Sequence, residues 1–141
     1  MTPITDVTAQ PQQPLQGFEV AFLRQPVHVA HMRHITAAHL CRWGLRPPLT
    51  ENVVLAVSEL VTNAVLYGHG PEAALRVRFT TDTLLIEVND ENPAPAAMSH
   101  AGEDDERGRG LFLLSGLTRD WGARDGGTTT WCSFVLSEDQ R

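Results

Sequence analysis

Glu59 and Asn63 stand four residues apart in the segment SELVTNAV, so on a helix they stack one turn apart along a single stripe. A carboxylate and a carboxamide so placed suit two linked tasks. The amide oxygen is a ligand for a hard, hydrated cation such as Mg2+, and the carboxylate accepts a proton from a nearby hydroxyl or orients a water. Either residue alone is ordinary on a solvated helix face. The pair acquires meaning only from what other segments bring to it.

Two segments are candidates. Asp90 follows the apolar run LLIEV and opens the Pro-rich stretch Glu91-Asn92-Pro93-Ala94-Pro95. A sheltered carboxylate at a strand end accepts a hydrogen bond from an exocyclic amine such as adenine N6, although Asp is also a common turn starter. Gly108-Arg109-Gly110 opens a helical pattern after an acidic loop. Glycines there let backbone N–H groups approach a phosphate, the helix dipole favours the anion, and Arg109 adds a charged donor. Neither GxGxxG nor GxxxxGK[ST] is present, so the dinucleotide and P-loop motifs do not apply.

These residues must be held by a small number of elements. Alternation of Phe18, Val20 and Phe22 predicts a strand over residues 17–24. A helix follows over 26–43, with Val29, Met32, Leu40 and Trp43 on one face and Gly44 as its stop. Thr50 is the expected N-cap of a longer helix to about Tyr67, closed by Gly68 and Gly70. In that helix Val53, Val57, Leu60 and Ala64 share the arc that packs on the sheet. Strands are expected over 74–80 and 83–89 around a turn at Thr81-Asp82, then a loop over 90–107 and a third helix to about Leu117. Two last strands, 120–124 and 128–136, flank Asp125-Gly126-Gly127. Strands in hairpins rather than in alternation with helices indicate an α+β fold. The expected architecture is a two-layer α/β sandwich with a mixed, mostly antiparallel sheet and its helices on one face.

The 141 residues suit one domain, read as a tail over 1–16, a domain over 17–137 and a short tail over 138–141. A net charge of -6 with eleven scattered Arg and no Lys excludes a nucleic-acid footprint. Cys41 and Cys132, far apart and outside any CxxC spacing, are expected to be reduced thiols. No apolar run approaches the ~20 residues of a membrane span, and residues 1–16 lack a signal-peptide pattern, so a cytoplasmic location is expected. His28, His31 and His34 recur every three residues and read as a solvated helix face, and Trp43, Trp121 and Trp131 read as core.

The ordered set of motifs is more specific than any member. Ser58-Glu59-Leu60-Val61-Thr62-Asn63-Ala64-Val65, ending Tyr67-Gly68, resembles the N box of the GHKL ATPase superfamily. Val88-Asn89-Asp90 with Pro93 and Pro95 resembles its adenine box. Gly108-Arg109-Gly110-Leu111, then Asp120-Trp121-Gly122 and Gly127-Thr128-Thr129-Thr130-Trp131, resembles its glycine box and terminal strands. The layout, covering about Phe18 to Leu136, is similar to the short anti-sigma-factor serine kinases abundant in actinobacteria.

That resemblance implies a Bergerat-type ATP-binding fold, ATP and Mg2+ as cofactors, and phosphorylation of a serine on an anti-anti-sigma protein of the STAS type. It also implies sequestration of a sigma factor, with homodimerisation expected. Carried over by position, Asn63 matches the Mg2+-binding asparagine, Glu59 the general base and Asp90 the reader of adenine N6. Gly108, Arg109, Gly110, Leu111 and Thr129 fall among the nucleotide-contacting positions, and Arg33 matches an arginine used in partner contact. Two positions depart from the pattern. Thr128 stands where the family often has Lys, which removes a positive charge near the nucleotide. Asn92 stands where Ser or Gly is usual, which narrows the adenine side. Both leave room for a competing expectation, a nucleotide-gated binding module without useful kinase activity.

Overall fold

A computed structural model describes residues 16–93 and 116–137. Within them lie β1 (Gln16–Leu23), α1 (Val27–Arg42), α2 (Leu49–Tyr67), β2 (Glu72–Phe79), β3 (Thr83–Asn89), β4 (Asp120–Arg124) and β5 (Thr129–Val135). The strands form one sheet in the order β1-β2-β3-β5-β4, and every pairing is antiparallel. The fold is α+β, as the clustering of strands into hairpins suggests. Gln16, assigned to the leading tail, is the first residue of β1. Gly116 and Leu117 are helical, but the expected start of a third helix, with Gly108, Arg109, Gly110 and Leu111, falls outside the described residues.

Alternation within the strands decides which sheet face is dry. Leu75 and Val77 of β2, Leu84, Ile86 and Val88 of β3, and Cys132 and Phe134 of β5 are buried together with α2. Val53, Val57, Leu60 and Ala64 take the expected arc of α2, joined by Ala56 and Val61. Each buried Val or Leu contributes about 1.5–3 kcal/mol relative to exposure, so this layer sets the position of α2. By length and composition α2 would also pass for a membrane span, but Val53, Ala56, Val57, Leu60, Val61 and Ala64 are buried in this sandwich, while Leu55 and Leu66 are exposed.

The α1 terminus matches its sequence signal. Gly44 adopts φ 80°, Leu45 N–H donates to the Leu40 carbonyl at 3.1 Å and Gly44 N–H to that of Cys41 at 3.0 Å. This Schellman closure needs the left-handed residue that glycine supplies. The α2 start differs from expectation. Its cap position is Pro48, no side chain caps it, and Thr50 lies in the first turn. Two consecutive prolines lack N–H groups and have preset φ angles, so the turn forms without a hydroxyl acceptor.

The opposite sheet face is polar. Glu87, nearly buried, receives Arg78 at 2.8 Å and Arg124, with Arg76 at 3.7 Å. Trp131 lies on this face beneath the Arg124 guanidinium, outside the core that takes in Trp43 and Trp121. Its expected core placement is corrected by the β5 register, which opposes it to Glu87 and Gly122.

Thr36 of α1 is fully buried and its hydroxyl has no hydrogen-bond partner among the described residues. An unsatisfied buried hydroxyl costs about 1–3 kcal/mol. Thr36→Val keeps the shape and removes the orphan, so urea unfolding should report a gain of about 1 kcal/mol. A loss of similar size would mean the hydroxyl has a partner in solution.

Candidate functional site

The carboxyl-terminal half of α2 carries Glu59 and Asn63 on one stripe, and the burial of its neighbours leaves the two unequal. Glu59 is half-buried, and desolvation raises its carboxyl above the usual carboxylate range. Asn63 is 6% exposed, and its Oδ1 has no hydrogen-bond partner among the described residues. A buried amide oxygen without a donor is rare in native proteins and marks a site awaiting a ligand, water or cation. The donor fits a hard cation or a metal-bound water.

Asp90 leaves the end of β3 beside the end of α2. Its N–H donates to the Thr128 carbonyl at 3.0 Å, its carbonyl accepts from His69 N–H at 2.9 Å, and its Oδ1 accepts from Asn92 N–H at 3.0 Å. The carboxylate is nearly buried and its orientation is set by this turn. Asn92, the unusual residue of the loop, donates from Nδ2 to the Tyr67 carbonyl at 2.6 Å. It therefore ties the Asp90 turn to the last residue of α2, which its smaller counterparts could not do.

Arg24 was not singled out by the sequence and proves central to this arrangement. Its Nε donates to the Ala64 carbonyl at 2.8 Å, its Nη2 to that of Val65 at 3.0 Å and its Nη1 to that of Gly70. A cation at the negative end of α2 complements the helix dipole and adds a second donor to the Ala64 carbonyl, which already accepts from Gly68 N–H at 2.9 Å. Because the partners are 40 or more residues away, no local pattern announces the contact. Gly68 makes room for it: a Cβ there would lie 2.5 Å from the Ala64 carbonyl oxygen and 2.6 Å from Arg24 Nε. Gly68→Ala should destabilise the fold by about 2 kcal/mol in urea unfolding, since backbone on one side cannot yield. A change within error would show that the Arg24 contact is loose.

The other expected residues divide. Arg33 reaches from α1 to Ser58, its Nη1 donating to Oγ at 3.4 Å, next to Glu59. Thr129 is buried, but its Oγ1 accepts from Asn89 Nδ2 at 3.0 Å, and strand alternation turns both toward the face away from α2. Thr130, opposite Val88, is the residue of that trio on the α2 side. Thr128 donates its hydroxyl to the Asp125 carbonyl at 2.9 Å. Gly108, Arg109, Gly110 and Leu111 lie outside the described residues.

α2 thus carries a buried amide oxygen one turn from a carboxylate disfavoured by burial, and the turn that holds Asp90 is tied to the last residue of the same helix. A family model described as a histidine kinase-like ATPase domain matches residues 22–134, from within β1 to within β5. No curated protein matches the chain.

Proposed function

The chain belongs to the histidine kinase-like ATPase family and is an ATP-binding, kinase-like module; from that premise we propose that it is a protein-serine kinase that also acts as an anti-sigma factor. The observation that carries the reading is the orphaned, buried Asn63 Oδ1 one turn from a carboxylate whose charge is opposed by burial. Asn63 would hold Mg2+, which supplies charge neutralisation at the phosphates when bound. Glu59 accepts the proton of a serine hydroxyl on an anti-anti-sigma protein as that oxygen attacks the γ-phosphorus, the bond to the β,γ-bridging oxygen breaks and ADP leaves with the electron pair. Asp90, fixed by Asn92 and His69, would accept a hydrogen bond from the exocyclic amine of the ATP base. Catalysis otherwise consists of positioning and electrostatic stabilisation. Arg33, beside Ser58, is the proposed contact for the partner protein, in a cytoplasmic complex.

Thr128 supports a second reading. Its hydroxyl is engaged by its own turn, and no cation stands at that position. In this reading ATP sets partner affinity, with a coupling of about 1–3 kcal/mol, and phosphotransfer is negligible. Incubation with γ-labelled ATP, Mg2+ and a STAS-type acceptor separates the two. Label on an acceptor serine supports the kinase. Saturable ATP binding without label supports the gated module, and absence of ATP binding overturns both.

A further inference from the structure

The first two turns of α1 bring His28 and His31 together on the surface, with their Nδ1 atoms 3.3 Å apart and ring centroids 5.5 Å apart. The spacing of three residues puts the two rings on one face of the helix with 28° between their planes, and neither ring takes part in the interactions that build the nucleotide site. In the metal-free pair one Nδ1 carries a proton and the other accepts it. The same separation suits a shared metal ion. Bonds of about 2.0–2.1 Å from each nitrogen to one ion would enclose an angle of roughly 104–111°, which brackets the tetrahedral value.

We propose that His28 and His31 form a two-nitrogen chelate for a borderline divalent transition-metal ion, the Ni2+, Cu2+ or Zn2+ class that imidazole prefers. In the bound form both rings are neutral and carry their proton on Nε2, which frees both Nδ1 lone pairs for the ion. No group of three or more His, Cys, Asp or Glu gathers to hold a metal among the described residues, so water completes the coordination. Mg2+ does not compete, because it demands oxygen ligands in octahedral array. The site is thus chemically separate from Asn63 and independent of any kinase activity. Binding to the folded chain alone stabilises it, since a helix turn must exist for the two nitrogens to meet.

The test is calorimetric titration of NiCl2 and of ZnCl2 into the untagged full chain, stripped of metal and free of nucleotide. One equivalent should bind, and His28→Gln and His31→Gln should each weaken it about tenfold or more through loss of one metal–nitrogen bond. His34→Gln, removing the next histidine in the series, should leave the affinity unchanged. With Cu2+ as probe, electron paramagnetic resonance should show two equivalent nitrogens. No binding, undiminished binding in the His28→Gln/His31→Gln double variant, or an equal loss in His34→Gln would overturn the assignment. Circular dichroism of the variants guards against misfolding, since both side chains are at the surface and unfolding of α1 would be visible.

Discussion

A Glu59→Gln variant is expected to bind ATP as the native chain does and to transfer phosphate about 10²–10⁴-fold more slowly, the range that a general base contributes. Glutamine keeps the shape and hydrogen-bonding reach of the side chain and loses only the capacity to take the proton. The pH dependence has a defined sign. Burial raises the Glu59 carboxyl, so the base becomes protonated, and activity falls, at a higher pH than for an ordinary glutamate. For stability the consequence is opposite to that of an ion-paired carboxylate. The folded state favours the protonated form, so that contribution is complete below the unfolded pKa and is lost as pH rises through the folded one. Above it, the charge opposes folding, and Glu59→Gln should melt higher than the native chain at neutral pH. Unaltered transfer in the variant would remove Glu59 from the chemistry. A lower melting temperature would show that the carboxylate has a stabilising partner in solution.

Asn63→Leu should abolish Mg2+-dependent ATP binding, a loss of about a hundredfold or more, without harming the unliganded fold. The native Oδ1 is buried and has no donor, an arrangement that costs about 1–3 kcal/mol in the empty protein. Leucine has nearly the same shape and no such cost. The native chain at a hundredfold excess of ATP over its Kd should gain about 2.7 kcal/mol from the ligand, and the variant should gain almost nothing. Thermal melts with and without Mg-ATP therefore report both effects from one sample set. If the variant keeps a Mg2+-dependent shift, the metal is held elsewhere.

The parts of the fold that were legible in the sequence are those encoded over short distances. Period-2 alternation located β1, strand-like runs around a short turn located β2 and β3, and helical spacing located the buried arc of α2. Gly44 announced the α1 terminus because its backbone angle is a local requirement. Glu59, Asn63 and Asp90 stand out as a candidate set in the sequence because their motifs occur in a fixed order. Arg24 was not, since nothing near residue 24 indicates that its guanidinium will close the end of a helix 40 residues on. Asn92 was noticed as a departure, but its bond to the Tyr67 carbonyl depends on how two distant chain ends meet. Trp131 was misplaced, and the face that Thr129 takes was not legible, for one reason: alternation within β5 is certain, but which parity faces α2 follows from its register against β3.

The strand order carries a consequence for synthesis of the chain. β5 is the last of the described strands in sequence yet lies inside the sheet, between β3 and β4. A nascent chain that has released everything up to Arg124 therefore displays β3 with one bare edge, flanked by the apolar residues Leu84, Ile86 and Val88. Such an edge is a template for pairing with another copy. Chains truncated before Thr129 should collect in aggregates rather than accumulate as partly active product, and a chaperone that shields the β3 edge until the final strand emerges would raise the yield.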